Sequence, residues 1–459
     1  MDASSSSFTT TRRSVTKKDN RKQVILIAAF VVSTLVLTLT PFLLVPTIPL
    51  HQSSRPRHKL PSQQAFQRSN TKTAKQSKSL VNTIATSTST DTNTFPKESC
   101  AILFFGLPRS FELLVLPSIV KNVLLPNKGN QCDIFLHYYD SKYEEGGARS
   151  GRGGTIDPSQ VWLLPDAVSK VYGNNNDNNS SSSTAARVRV SITMDTDDTF
   201  WNKRGQALEK YRTTKNAADG KYLYYPWMAK SFIYPTSIDN IVKQWHSIDA
   251  VWNDMVHKGK LWNKNYTRVA MLRNDVMFVT PFNIYQLNNA NANQHNNTTT
   301  TTTADFDYDN KKVVVPNWAR FPINDRMVYG PYNAIQIWAT ERFARLEDHV
   351  LSYEPGYGMH SERFLNHSIF PAIRNELGLE VVANPDICFF RARADGSVWM
   401  NDCTTRDGAA KGFRTKDTLA LVESIIGRKC IPSKYSQRII QARCADDDEQ
   451  QQPKKPSGG

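Results

Sequence analysis

Between residues 24 and 50 the chain carries no charged side chain. At about 1.5 Å per residue, roughly 20 apolar residues cross the ~30 Å hydrocarbon core of a bilayer. Residues 24–45 supply that length, and Pro41, Pro46 and Pro49 mark the exit from the helix. A cleaved signal peptide would have a shorter apolar core followed by a small-x-small cleavage site. No convincing site follows between residues 41 and 60, so the stretch reads as an uncleaved signal-anchor. Arg12, Arg13, Lys17, Lys18, Arg21 and Lys22 precede it, and basic flanks of this kind stay in the cytosol. The expectation is a single-pass protein with a basic cytosolic tail over 1–23, a transmembrane helix over 24–45 and the remainder in the secretory lumen.

All six cysteines (Cys100, Cys132, Cys388, Cys403, Cys430 and Cys444) then lie in an oxidising compartment. Six cysteines allow three disulfides in fifteen pairings. None forms a C-x-x-C, so the spacing gives no zinc signature. The sequons at Asn178, Asn179, Asn265, Asn296, Asn297 and Asn366 would be open to glycosylation.

The net charge of +15 suggests a nucleic-acid partner, but ten of those fifteen charges lie in residues 1–23 and 51–99. No basic stripe with interleaved aromatics occurs in the rest, so nucleic acid is not an expected partner. Residues 46–99 read as a disordered lumenal stem, rich in Ser, Thr, Gln and Lys beyond residue 51. One lumenal domain follows over 100–445, with low-complexity insertions at 174–184 and 288–303 and a disordered tail over 446–459.

Within that domain, strand-like and helix-like patterns alternate. Residues 101–105 (AILFF), 133–138, 187–193, 268–272 and 312–315 read as strands, and 379–383 and 387–392 as extended pieces. Residues 111–125 read as a helix kinked at Pro117. Residues 238–256 form the clearest helix, with apolar residues every three or four positions from Ile238 to Met255, capped by Ser237 and closed by Gly259. Further helices are expected over 334–350 and, broken near Pro371, over 362–377. This alternation predicts an α/β fold with a mostly parallel, Rossmann-like sheet and helices on both faces. Ligands of such sheets bind beyond the carboxyl ends of the strands, which directs attention to strand ends.

Gly106, Arg109 and Ser110 follow the first strand, where backbone N–H groups and a guanidinium can converge on phosphate. An ordinary tight turn has the same composition. Arg273, Asn274 and Asp275 follow RVAML. A carboxylate at that edge can hold Mn or Mg against a diphosphate, and Arg273 can pair with phosphate or with Asp275 itself. Asn324 and Asp325, with Tyr329 and Gly330, suit a sugar's hydroxyls, or else the N-cap of the next helix. Glu362 is placed to act as a general base, although the helix dipole alone favours an acid in a first turn. Asp195 and Asp197 form a D-x-D spacing beside a low-complexity insertion and rank behind Asp275.

A cytosolic tail, one span, a stem and a lumenal α/β head resemble type II Golgi glycosyltransferases. Four segments of the head, NIVKQWHSIDAVW, VAMLRNDVMF, NDRMVYG and HSERFL, resemble in their order a group of glycosyltransferase-like proteins with the GT-A type of fold. The resemblance covers residues 101–394. It implies transfer of a sugar from a nucleotide-sugar donor to a hydroxyl of a glycan or glycoprotein acceptor at the Golgi membrane. Gly106, Arg109, Ser110 and Arg273 are expected on the nucleotide side, and the resemblance places Asp275 at a metal ion or the donor phosphate. Asn324 and Asp325 would line the sugar, and Glu362 would lie on the acceptor side, as the acceptor base if the reaction inverts. RND in place of D-x-D leaves dependence on a divalent cation open, since basic side chains replace the ion in some such folds. On this reading, replacing Asp275 removes turnover and leaves melting nearly intact.

Two other readings compete. Golgi sulfotransferases share the topology, and FFGLPRSFEL keeps the Gly, Pro, Arg and Ser of their phosphate loop but loses its small residues. A catalytically inactive lumenal glycan-binding protein would instead use the aromatic cluster Tyr222, Tyr224, Tyr225 and Trp227, whose alternative role is core packing.

Overall fold

The computed structural model describes residues 99–147, 152–173, 188–286, 311–319, 321–353, 355–400, 403, 415–436 and 439–444. The expected cytosolic tail, membrane span, stem through residue 98, both insertions and the C-terminal tail lie outside these residues. Among the described residues no helix is long and apolar enough to cross a membrane.

In chain order the strands are β1 (Cys100–Gly106), β2 (Asp133–Tyr139), β3 (Tyr143–Glu144), β4 (Gly154–Thr155), β5 (Val190–Asp195), β6 (Arg268–Arg273) and β7 (Val276–Phe278). They continue with β8 (Lys312–Pro316), β9 (Met327–Pro331), β10 (Glu380–Asn384), β11 (Phe389–Ala392), β12 (Ser397–Trp399), β13 (Ile431–Ser436) and β14 (Ile439–Arg443). The main sheet has seven strands in the order β10-β8-β9-β6-β1-β2-β5. The pairs around β1, β2, β5 and β6 are parallel, as is β8 with β10, and β9 alone runs against its neighbours.

β1 explains the layering. Its side chains alternate between faces, and both faces are buried: Ala101, Leu103 and Phe105 enter one core, Ile102 and Phe104 the other. The first core is covered by the helix Thr236–Leu261, which buries Trp245, Val251, Trp252 and Met255 there. Residues 111–124 and the helix Leu163–Tyr172 cover the opposite face. The result is the expected α/β arrangement, a mostly parallel sheet between helices.

A second, antiparallel sheet, β13-β14-β12-β11-β7, was not expected from sequence. β7 follows β6 after only Asn274 and Asp275, so the chain passes from one sheet to the other at that point. Three disulfides resolve the open pairing: Cys100–Cys132, Cys388–Cys403 and Cys430–Cys444.

Several expected boundaries move. The long helix starts at Thr236 and runs through Gly259, because the Tyr266 ring lies 3.2 Å from where a Cβ would stand there. Ser237 is not its cap; its hydroxyl accepts from Ile233 N–H at 2.8 Å. The helix expected over 334–350 is two helices, Tyr332–Thr340 and Arg342–Ser352. At their junction the Arg342 side chain bonds Trp338 O at 3.0 Å, the carbonyl an unbroken helix would offer to the Arg342 backbone. Pro371 breaks nothing. The helix Ser361–Phe364 continues through a widened turn, with Phe370 N–H bonded to Leu365 O, into Phe370–Leu377, where Pro371 occupies the first turn.

Candidate functional site

From β1 the chain builds β2 and β5 on one side and then crosses to β6 on the other. That makes the carboxyl ends of β1 and β6 the topological switch point, where open α/β sheets form their ligand crevice. The Gly106 turn and Arg273–Asp275 are the residues that emerge there.

Gly106 has φ +116°, a conformation that favours glycine, and an added Cβ would stand 3.1 Å from Asn274 Oδ1. Gly106 N–H donates to Ser247 Oγ at 3.0 Å, and its carbonyl accepts from Asn274 Nδ2 at 3.1 Å. The turn therefore carries Arg109 outward from a fixed base. Arg109 Nη1 bonds Asp275 Oδ2, while its Nε and Nη2 bond Glu144 of β3 at 2.7 and 2.5 Å. Arg273 grips the same Asp275 through Nε at 2.7 Å and Nη2 at 2.6 Å. Asp275 O accepts from Ala392 N–H at 3.0 Å, which brings the next residue, Arg393, against the cluster. Arg393 is buried with its guanidinium over Trp399, and its carbonyl accepts from Ser110 Oγ at 2.6 Å.

Asp275 is 1% exposed. Burial opposes its ionisation, but Arg273 and Arg109, with a smaller contribution from Arg393, outweigh it and hold the carboxyl well below the usual range. Burial likewise opposes the charge on Arg109, and Asp275 and Glu144 overcome it. This donor set does not fit a divalent cation. Both Asp275 oxygens and both Glu144 oxygens accept from guanidinium groups, and an ion there would face three positive charges. Among the described residues no group of three or more His, Cys, Asp or Glu is placed to hold a metal ion.

The pairing of Leu272 with Met327 sets Asn324 and Asp325, just before β9, at the same edge of the sheet. Asn324 Nδ2 donates to Trp318 O at 2.8 Å and its Oδ1 accepts from Arg326 N–H at 2.9 Å, so the amide helps to build the turn. Asp325 is 8% exposed, and its charge supports Arg342, which stacks on Trp338 at 4.0 Å. Burial lowers Arg342 to about 9, so it stays charged at neutral pH. Glu362 stands in a helix first turn, its Oε2 3.2 Å from His360 Nδ1, and the His360 ring packs against Phe232.

Reasoning from sequence missed a second polar network beside the Gly106 turn. Asp195 Oδ2 lies 2.7 Å from His246 Nε2 and 3.3 Å from His137 Nε2, and Asp195 Oδ1 takes Lys203 at 2.8 Å. His137 Nδ1 is 2.8 Å from Ser247 Oγ. Arg204 Nε donates to His246 Nδ1 at 3.0 Å, which places the His246 proton on Nε2 and leaves the ring neutral. Burial pushes His246 down, and it opposes Asp195, whose bonds from His137, Lys203 and His246 hold it low. Asp197 starts the helix Asp197–Thr213 and pairs with Lys243, so the two acids of D-x-D serve different partners. The signal that could have found this network is a polar residue inside an apolar pattern: His137 in DIFLHYY, and His246-Ser247 on the buried face of the long helix.

Glu144 and Arg393 were also missed; nothing in their local sequence marks them. The aromatic cluster is largely committed to packing. Tyr224 is buried against Tyr211, Tyr222 stacks on Tyr234 at 4.4 Å, and Trp227 carries Lys221 at 3.7 Å.

Fold and site thus define a class: an α/β protein with a mostly parallel sheet and an arginine–carboxylate cluster at its switch point. No protein-family model matches the chain, and a search of curated proteins finds no significant match.

Proposed function

We propose that the chain is a glycosyltransferase with a GT-A-like head. It moves a sugar from a nucleotide-sugar donor to a hydroxyl of a glycan or glycoprotein, and it is held in the Golgi membrane as a single-pass type II protein. One observation carries this reading: Arg109, Arg273 and Arg393 converge on the carboxyl ends of β1 and β6, where a diphosphate would meet fixed positive charge. The single reversed strand in an otherwise parallel sheet and the three disulfides are consistent with it.

In this mechanism the acceptor oxygen attacks the anomeric carbon while the bond from that carbon to the diphosphate oxygen breaks. The departing nucleoside diphosphate keeps the electron pair, and the guanidinium groups stabilise its growing charge. If the reaction inverts, Glu362 takes the acceptor proton, and Asp325 faces the transferred sugar. Neither step is routed through a cation. The test is a screen of nucleotide-sugar hydrolysis by the purified chain, with and without manganese. Turnover of one donor, reduced at least a hundredfold by Arg273→Ala, is expected. Absence of turnover with every donor, in a protein that melts cooperatively, counts against the reading.

A further inference from the structure

We propose that the arginine–carboxylate cluster is a cation-independent diphosphate site and that the Glu144 carboxylate is its internal occupant, displaced when the diphosphate binds. The inference rests on the reading above for the identity of the ligand.

The two carboxylates of the cluster are not equivalent. Asp275 lies at the seam between the sheets, 1% exposed, and is gripped by both Arg109 and Arg273. It is a fixed counter-ion. Glu144 instead takes the outer fork of Arg109, one oxygen on Nε at 2.7 Å and the other on Nη2 at 2.5 Å. That is the bidentate geometry in which a guanidinium binds two oxygens of a phosphate.

Glu144 is also carried by a small element outside both larger sheets. β3 and β4 pair only with each other, as a two-stranded ribbon. Such a ribbon is marginal alone. It is seated against the cluster: a Cβ on Gly154 of β4 would stand 3.1 Å from the Ala394 backbone, one residue beyond Arg393. With Glu144 in place, Arg109 is held between two carboxylates, Glu144 and Asp275. With Glu144 withdrawn, a diphosphate takes over the outer fork of Arg109 without a metal ion.

The probe is inorganic pyrophosphate, titrated by calorimetry into the purified full-length chain in excess EDTA. Binding is expected in EDTA, unchanged by manganese, tightened about tenfold by Glu144→Gln and abolished by Arg109→Ala. A requirement for manganese overturns the proposal, as does unaltered or weaker binding by E144Q. If E144Q does not fold, hydrogen exchange in the native chain reads the same displacement. Pyrophosphate must then speed exchange of the β3 and β4 amides, and unchanged exchange overturns the proposal. Pyrophosphate carries no sugar, so this outcome is separate from the donor screen. A chain that binds pyrophosphate as expected but turns over no nucleotide sugar loses the transferase reading and keeps this site.

Discussion

Asp275 is the side chain on which the local electrostatics turn. Reading the sequence alone treats it as a ligand whose loss spares the fold. Its burial beneath Arg109, Arg273 and Arg393 gives a different expectation. Removing one partner of a buried charge cluster leaves the others uncompensated, typically at ~3–5 kcal/mol. Asp275→Ala should therefore lower the urea midpoint clearly, and a midpoint equal to the native one would refute the counter-ion role. A second residue-scale prediction concerns pH. Burial and then the His367 charge push His349 from 6.5 to about 4, and burial also lowers His246. Below pH 6.5 the unfolded chain takes up protons that these folded imidazoles refuse, so stability falls as pH drops toward 4. Asp195 and Asp275, held low when folded, contribute stability that is lost only below the ordinary carboxylate range. The melting temperature should decline from pH 7.5 to 5, and less so in His349→Phe; an equal decline in both proteins would exclude His349 as a source.

Among the elements, β9 shows what local pattern cannot reveal. NDRMVYG reads as a sugar-binding loop, yet Tyr329 and Gly330 belong to a buried strand. Five mixed residues give no usable alternation, and the strand exists because β6 and β8 flank it. Gly330 is there for close approach: a Cβ would stand 3.0 Å from Lys312 O and 3.2 Å from Val313 Cα of β8. Gly330→Val should force β8 and β9 apart at about 2–3 kcal/mol, seen as a lower denaturant midpoint; a neutral effect would remove that role. The long helix was legible through its 3.6-residue period. Its end was not, because Gly259 is covered by Tyr266, a tertiary contact that outweighs the glycine signal.

For the whole described domain, the parallel core was legible because its strands are buried on both faces and read as apolar runs. Gly106, Arg109, Arg273 and Asp275 were legible because they end such runs. The antiparallel sheet was not, since β7 and β12 have three residues each and β7 finds its partner far along the chain. The second sheet is tied by Cys388–Cys403, separated by 15 residues, and by Cys430–Cys444. Closing a loop of that length contributes about 3 kcal/mol. The double variant Cys388→Ser, Cys403→Ser should lose stability on that scale in chemical denaturation, and an unchanged midpoint would show that the bridge does not constrain the unfolded chain. Glu144 and Arg393 acquire their roles only when this sheet and the β3–β4 ribbon meet the switch point.

The central claim is that a nucleoside diphosphate enters between the ends of β1 and β6. Hydrogen exchange of the purified chain with and without UDP or GDP measures this most directly. The account predicts protection concentrated at residues 106–110, 273–275 and 391–395 with one of the two. Protection confined to other segments, such as 349–367, or none with either nucleotide, would contradict it.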